Sequence, residues 1–209
     1  MTDEKRPYRK KLRAELEART ARRITESAVE LHGTLGPSRT SISAVAKHAG
    51  VRRSTLYRYF PDEAALFTAC TAHWMSANVP PDLGRWAAIK DSDERLAVGL
   101  GELYAHYHRT EQMMENILRD EATMPIVKQL LSGYRDYLAA ARDTLVGDRR
   151  VRGRARTSVV AAIGHAIAFA TWRSLTCEQR LDDAQAADMM CRLVATMAAD
   201  HRAAGHARA

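Results

Sequence analysis

The sequence predicts an all-α protein of about nine helices, and three observations carry that reading. Apolar residues return at three- and four-residue steps through most of the 209-residue chain, which is the period of a helix with one buried face. No apolar–polar alternation longer than three residues occurs, so no strand is indicated. Six prolines and eleven glycines leave room for long helices.

Residues 1–20, MTDEKRPYRKKLRAELEART, form a basic arm. Leu12 and Leu16 stand one helical turn apart. The arm extends the first helix backwards, or is disordered and orders on DNA, where basic arms can enter the minor groove, or is simply a solvated tail. The first core helix runs from about Arg22 to His32, with Ile24, Ala28 and Leu31 as its stripe, and Gly33 and Gly36-Pro37 end it.

The stretch Thr40–Leu66, TSISAVAKHAGVRRSTLYRYFPDEAAL, reads as two short helices around a tight turn. Ser41 caps the first, and Ile42, Val45, Ala46 and Ala49 lie on its inner side. Gly50 breaks it, and Val51 anchors the turn. Leu56 and Phe60 face inward from the second helix. Small Ala46 lets the two helices cross closely. This is the grammar of a helix-turn-helix, whose second helix lies in the major groove. Arg52, Arg53, Ser54, Thr55, Tyr57, Arg58 and Tyr59 leave that second helix outward. They are cations and hydroxyls with no acid among them, suited to phosphates and guanine. With Ser41 and Ser43 they make the candidate DNA-binding set.

Asp62 caps a fourth helix, Glu63 to about Asn78, with Leu66, Phe67, Cys70 and Trp74 on one face, and Val79-Pro80-Pro81 stops it. Ser92–His108 carries Leu96, Leu100, Leu103 and Tyr107 at helical spacing, and a shorter helix runs from Glu111 to about Asp120. Thr123-Met124-Pro125 reads as a capped start for a helix with Val127, Leu130, Tyr134, Leu138, Ala141 and Leu145 inward, ended by Gly147-Asp148. The Arg-rich stretch Arg149–Arg156 reads as a solvated loop. Arg156–Leu175 is apolar nearly all round between Val159 and Ala170 and is expected to be buried on several sides. The last helix, about Asp183–Ala199, carries Met190, Leu193, Val194 and Met197.

Charge sharpens the picture. Residues 1–60 hold 14 Lys/Arg against 6 Asp/Glu, a net of +8, while residues 61–209 hold 18 against 19, a net of −1. All the excess sits on the helix-turn-helix segment, which fits nucleic acid better than a membrane surface, since no continuous apolar stripe opposes the charge. Cys70, Cys177 and Cys191 have no Cys-x-x-Cys spacing, so neither disulfides nor zinc are indicated. No signal peptide is visible and the longest apolar run is too short to span a bilayer, so a cytoplasmic protein is expected.

Over residues 22–70 the chain resembles the TetR family of transcriptional regulators. The resemblance rests on a Thr/Ser-capped helix, then Ala-Gly-Val, then Thr55-Leu56-Tyr57, Tyr59-Phe60-Pro61 and Ala65-Leu66. Two positions depart from the family pattern. Arg52 stands where a Ser usually caps the recognition helix. Glu63 stands where a Lys usually reaches a DNA phosphate. The resemblance implies a DNA-binding module at 21–66, after the arm at 1–20, and a body at 67–209 that binds an effector and dimerises. It implies a homodimer on a palindromic DNA operator, joined through Arg156–Leu175 and Asp183–Ala199 as a four-helix interface. It also implies an effector cavity in the body.

No catalytic constellation stands out: there is no Gly-rich phosphate loop and no Gly-x-Ser-x-Gly. His106 and His108 point different ways from one helix and make poor joint metal ligands. Glu111, Glu115, Asp120 and Glu121 read as a solvated face. No cofactor, metal site or membrane partner is expected. Trp74, Tyr104, Tyr107, Met113, Met114, Tyr134, Tyr137, Phe169 and Trp172 are ordinary core candidates that also suit an adaptable ligand pocket. His165 and Arg173 are polar groups able to orient a ligand or to be satisfied internally. The sequence thus points to a ligand-responsive repressor. An effector-free nucleoid-type DNA binder and an all-α enzyme with a fused helix-turn-helix are the alternatives.

Overall fold

The computed structural model describes residues 5–206, which form eleven α-helices, a short 3-10 turn at Pro37–Arg39 and a π-helical turn at Ser174–Glu178, with no strand among the described residues. They divide into two compact units, Met1–Val79 with Gln112–Leu131, and Pro80–Glu111 with Ser132–Ala209.

The first unit contains α1 (Lys5–Thr34), α2 (Ile42–His48), α3 (Arg53–Tyr59), α4 (Glu63–Ala77), the last turns of α6 (Ser92–Asp120) and α7 (Pro125–Leu130). Of the states open to the basic arm, the described part is helix, continuous with α1 from Lys5; the first four residues lie outside the described region. The core joins Ile24 and Ala28 of α1, Val45 and Ala46 of α2 with Ala49, Leu56 of α3 with Phe60, and Leu66 and Cys70 of α4. The end of α1 would leave orphan carbonyls, and the last turn of α6 supplies their donors. Asn116 Nδ2 donates to Gly33 O at 2.7 Å and to His32 O at 3.2 Å. Arg119 donates to Leu35 O. Asp120 is 3% exposed and accepts from Ser38 N–H at 2.9 Å, so it belongs to no solvated face. Gly36, at φ 94°, lets the chain turn beneath these groups, and a Cβ there would strike Arg119 and Asp120.

The second unit contains α5 (Leu83–Ala87), Ser92–Glu111 of α6, α8 (Ser132–Val146), α9 (Gly153–Ala166), α10 (Phe169–Arg173) and α11 (Asp183–His206). Several boundaries differ from those read in the sequence. No breaker lies at Arg109-Thr110, and α6 runs straight through, with Thr110 Oγ1 bonded back to His106 O at 2.7 Å. The helix opened by Pro125 pauses at Leu131, before the weak formers Ser132-Gly133. Its N-cap is Met124, which makes no side-chain cap, and Thr123 bonds instead to Asp120 O. Arg149 is no loop cation: it is buried and paired with Asp93 and with Ser92 O.

The break between α9 and α10 has a tertiary cause. The chain bends by 64° there with neither Pro nor Gly at the bend, which frees backbone carbonyls inside the core. Two fully buried tyrosines of α6 satisfy them: Tyr104 donates to Ala166 O at 2.8 Å and Tyr107 to Ile167 O at 2.6 Å. Phe169 and Trp172 pack on Tyr107 at ring-centroid distances of 5.3 and 5.8 Å. Tyr107→Phe keeps the packing and orphans a buried carbonyl. It is expected to cost about 1–3 kcal/mol in urea unfolding, more than an exposed Tyr8→Phe control.

Candidate nucleic-acid interface

The α2–turn–α3 segment is shaped by its own sequence. Ser41 Oγ accepts from Ala44 N–H at 3.1 Å and starts α2. Gly50 adopts φ 63°, a left-handed conformation that side chains disfavour, and the chain reverses there. Val51 N–H then bonds back to Ala46 O at 2.9 Å. Arg52 is the N-cap of α3 and makes no side-chain cap, so the departure at this position removes the usual capping bond and adds a cation. Asp62 caps α4 through Ala65 N–H at 2.7 Å, which leaves Glu63 exposed in the first turn.

Burial sorts the predicted set. Leu56 is 0% exposed and keys α3 to the core. Ser41, Ser43, Arg52, Arg53, Ser54, Tyr57 and Arg58 are exposed. Thr55 and Tyr59 are half-buried, and Tyr59 packs on the core, so neither points fully outward as the sequence suggested. The exposed residues form two rows, Arg53–Tyr57 and Ser54–Arg58, each one turn apart. The guanidinium of Arg53 lies 5.9 Å from the centre of the Tyr57 ring, and that of Arg58 lies 5.1 Å from Tyr59. These contacts restrain two long side chains that otherwise sample many rotamers. No acid occurs between Lys47 and Tyr59. The surface is one of cations and hydroxyls on a rigid short helix, the chemistry that binds phosphates and base edges.

A cleft of about 200 Å³ opens in the same unit, lined by His32, Pro37, Ser38, Thr40, Ile42, Val45, Glu63, Leu66, Phe67 and Met124. Nothing in the periodicity of the sequence marked His32 or Thr40 for it. His32 stacks flat on Phe67, with centroids 4.8 Å apart. Burial pushes its pKa down to about 4, against the opposing pull of the Asp120 carboxylate. Burial would raise the pKa of Asp120, but bonds from Arg119 and Ser38 outweigh it and hold that carboxyl below its usual value.

The residues named for a ligand pocket fall in both units. Trp74 and Met113 are half-buried and Met114 buried in the first. In the second, Tyr104, Tyr107, Phe169 and Trp172 are buried, Tyr134 and Tyr137 half-buried. Tyr107 and Tyr134 share a hydroxyl contact of 3.2 Å, and Tyr137 donates to Pro81 O at 3.0 Å. Burial raises the pKa of Tyr134, and it pushes Tyr107 further in the same direction, so all these phenols stay protonated. His165 is exposed and within 3.2 Å of Thr171 Oγ1, and Arg173 is half-buried. Among the described residues no group of three or more His, Cys, Asp and Glu is placed to hold a metal ion. No single described helix is long and apolar enough to cross a membrane.

The buried neutral His32 makes stability depend on pH. Its folded pKa lies below the value of an unfolded histidine, so the unfolded chain binds more protons between about pH 6.5 and 4. The stabilisation is complete above that window and is lost as pH falls through it. Urea unfolding is expected to show about 2 kcal/mol less stability at pH 5 than at pH 7.5 from this residue. In His32→Leu that part of the pH dependence disappears, while the part due to His106, whose pKa burial also lowers, remains.

Comparisons with known proteins agree with this geometry. Residues 24–70 match the sequence model of a family described as bacterial regulatory proteins, tetR family. No curated protein matches the chain. Among solved structures, a TetR-like transcriptional regulator from Rhodococcus sp. RHA1 aligns at a TM-score of 0.60 and 17% identity, covering 84% of this chain and 93% of its own. A tetR-family transcriptional regulator from Streptomyces coelicolor aligns at 0.57 and 18%, covering 87% and 80%. A TetR transcription regulator from Haloarcula marismortui ATCC 43049 aligns at 0.56 and 12%, covering 88% and 98%. At these identities the structures speak for the fold, and the family likeness is confined to residues 24–70. Residues 24–70 are thus similar to the tetR family of bacterial regulatory proteins, and the chain shares the fold of the solved regulators it aligns with.

Proposed function

We propose that this protein is a homodimeric, cytoplasmic transcriptional repressor that binds a palindromic DNA operator and is released by a small-molecule effector. The observation that carries the reading is the exposed acid-free face of α3, held against the core by a fully buried Leu56. Residues 21–66 are the DNA-binding module in this reading, and residues 67–209 are the body that takes the effector and the second subunit.

The second unit offers a surface for a mate. α9 packs Val159 and Ile163 inward, and α11 packs Ala186, Met190 and Val194, all buried. The same two helices leave Ala161, Met189 and Leu193 to solvent, with Met189 46% and Leu193 37% exposed. Met189 and Leu193 stand one turn apart and make an apolar row beside the polar residues of α11. Two copies joined there by a two-fold axis present two α3 helices, and two-fold symmetry in the protein calls for two-fold symmetry in the operator. For the effector, the aromatics grouped on α6, α8 and α10 supply the apolar contact a pocket needs.

Side-chain chemistry separates the roles on the DNA face. Arg53 sits at the exposed start of α3, and Arg53→Ala is expected to weaken operator binding by about 1–3 kcal/mol with specificity lost at one or two base pairs. An equal loss on random DNA makes it a phosphate contact instead. Glu63 puts a carboxylate where relatives of the family reach a phosphate. Glu63→Lys is expected to tighten operator and random DNA by similar factors and to steepen the salt dependence by about one to two units. Unchanged binding and salt slope in a fluorescence-anisotropy titration mean that residue 63 does not face the backbone.

A further inference from the structure

The cleft of about 200 Å³ in the first unit plays no part in the DNA face or in the effector pocket. Every residue that lines it belongs to the first unit, and none of those named for a ligand pocket is among them. Sites for drug-sized ligands run to roughly 300–1,000 Å³, so this one suits only a small molecule. Its walls are largely apolar: Val45, Leu66 and Phe67 are buried, and Ile42 and Met124 half-buried. Glu63, the first residue of α4, is exposed and brings the only carboxylate, and no Lys or Arg lines the cleft. The polar groups share one chemical character. Thr40 Oγ1 gives its hydrogen to Gly36 O at 2.8 Å and has only lone pairs left to offer. The Ser38 hydroxyl lies against the Asp120 carboxylate, which also takes the Ser38 amide at 2.9 Å. The Glu63 carboxylate can only accept. His32 is 6% exposed, and among the described residues no hydrogen bond reaches its ring nitrogens, although Phe67 stacks on its face at 4.8 Å. Held neutral by burial, that ring keeps one nitrogen as an acceptor. A buried polar group without a partner is costly, and this one lines the cleft.

We propose that this cleft is a binding site for a small protonated amine with an apolar body, separate from the effector pocket of the body. An ammonium group carries three N–H donors, and Glu63, Thr40 and His32 offer three acceptors. The apolar body of the ligand then packs on Ile42, Leu66, Phe67 and Met124. The same lining disfavours other classes of ligand. A carboxylate or phosphate meets Glu63 with like charge and finds a single side-chain donor, the His32 N–H. A wholly apolar molecule leaves His32 unpaired. An occupant touches α2 through Ile42 and Val45 and α4 through Leu66 and Phe67. Val45 and Leu66 belong to the core that holds Leu56 of α3, so the amine is a ligand of the unit that carries α3. The site stands or falls independently of DNA binding.

The test uses the full chain with its methionine methyl groups labelled with carbon-13, because Met124 alone among the eight methionines lines the cleft. Met124→Leu assigns its NMR signal. Benzylamine is the probe, and benzyl alcohol and benzoate are its neutral and anionic counterparts. Benzylamine is expected to shift the Met124 signal saturably and to leave those of Met189 and Met190, in the second unit, in place. It is expected to bind about three- to fivefold more tightly than benzyl alcohol, the range of a solvent-exposed ion pair, with benzoate weakest. That preference for the amine is expected to vanish in Glu63→Gln, an exposed substitution that leaves the Asp62 cap on Ala65 N–H intact. Ile42→Phe, shown by a circular dichroism melt to be folded, fills the cleft and is expected to abolish the Met124 response. Absence of a saturable Met124 shift overturns the site. Equal affinities for amine and alcohol, or a preference for the amine that persists in Glu63→Gln, overturn the chemistry assigned to it. A response at Met189 and Met190 without one at Met124 moves the amine to the second unit and overturns the proposal as well.

Discussion

The burial of one leucine orients the whole exposed face of α3. Leu56 is the only buried residue of α3, a helix of seven residues, and it meets Ile24 and Ala28 of α1 and Val45 of α2 in a single core. So short a helix has no stability of its own, and its direction comes from that anchor and from the two ends that flank it. At one end Gly50 reverses the chain and Val51 bonds back to Ala46 O; at the other Phe60 enters the same core. With those three points fixed, every other side chain of α3 has its direction set by helical geometry. Cations can gather there because nothing on that face is asked to pack.

The helix-turn-helix was legible because its constraints are local. A cap at Ser41, a left-handed glycine at position 50 and apolar residues at 45, 46, 49, 56 and 60 are all signals within one or two turns, and the structure follows them. The outward set was read slightly too generously: Thr55 and Tyr59 lie at the edge of the buried face, where helical angle alone does not separate half-buried from exposed. The body was less legible because its decisive constraints are long-range. The bend between α9 and α10 carries no Pro or Gly and depends on tyrosines some sixty residues earlier in the chain. Asp120 looked like part of an acidic surface stripe because its partner is a backbone N–H 82 residues away. His32 gave no signal either, since its ring is held by stacking on Phe67 in another helix.

The two units solve the same problem with different residues. Each contains a place where helices stop inside packed structure and leave backbone groups to satisfy. In the first, Asn116, Arg119 and Asp120 from the last turn of α6 bond the carbonyls and amide at the end of α1 and in the turn after it. In the second, Tyr104 and Tyr107 from earlier turns of α6 do so for α9. One helix therefore supplies the polar fastenings in both units. Its hydrogen bonds are the more demanding part of the fold, because a buried group that loses its partner costs more than the bond contributed.

In the proposed function a two-fold pair of α3 helices reads DNA. Selection of bound sequences from a random duplex library by the purified full-length protein tests it most directly. The expected result is an enriched motif with two inverted half-sites whose centres lie about one helical turn, or a multiple of it, apart. Failure to enrich any sequence, or enrichment of a single unpaired site, contradicts it.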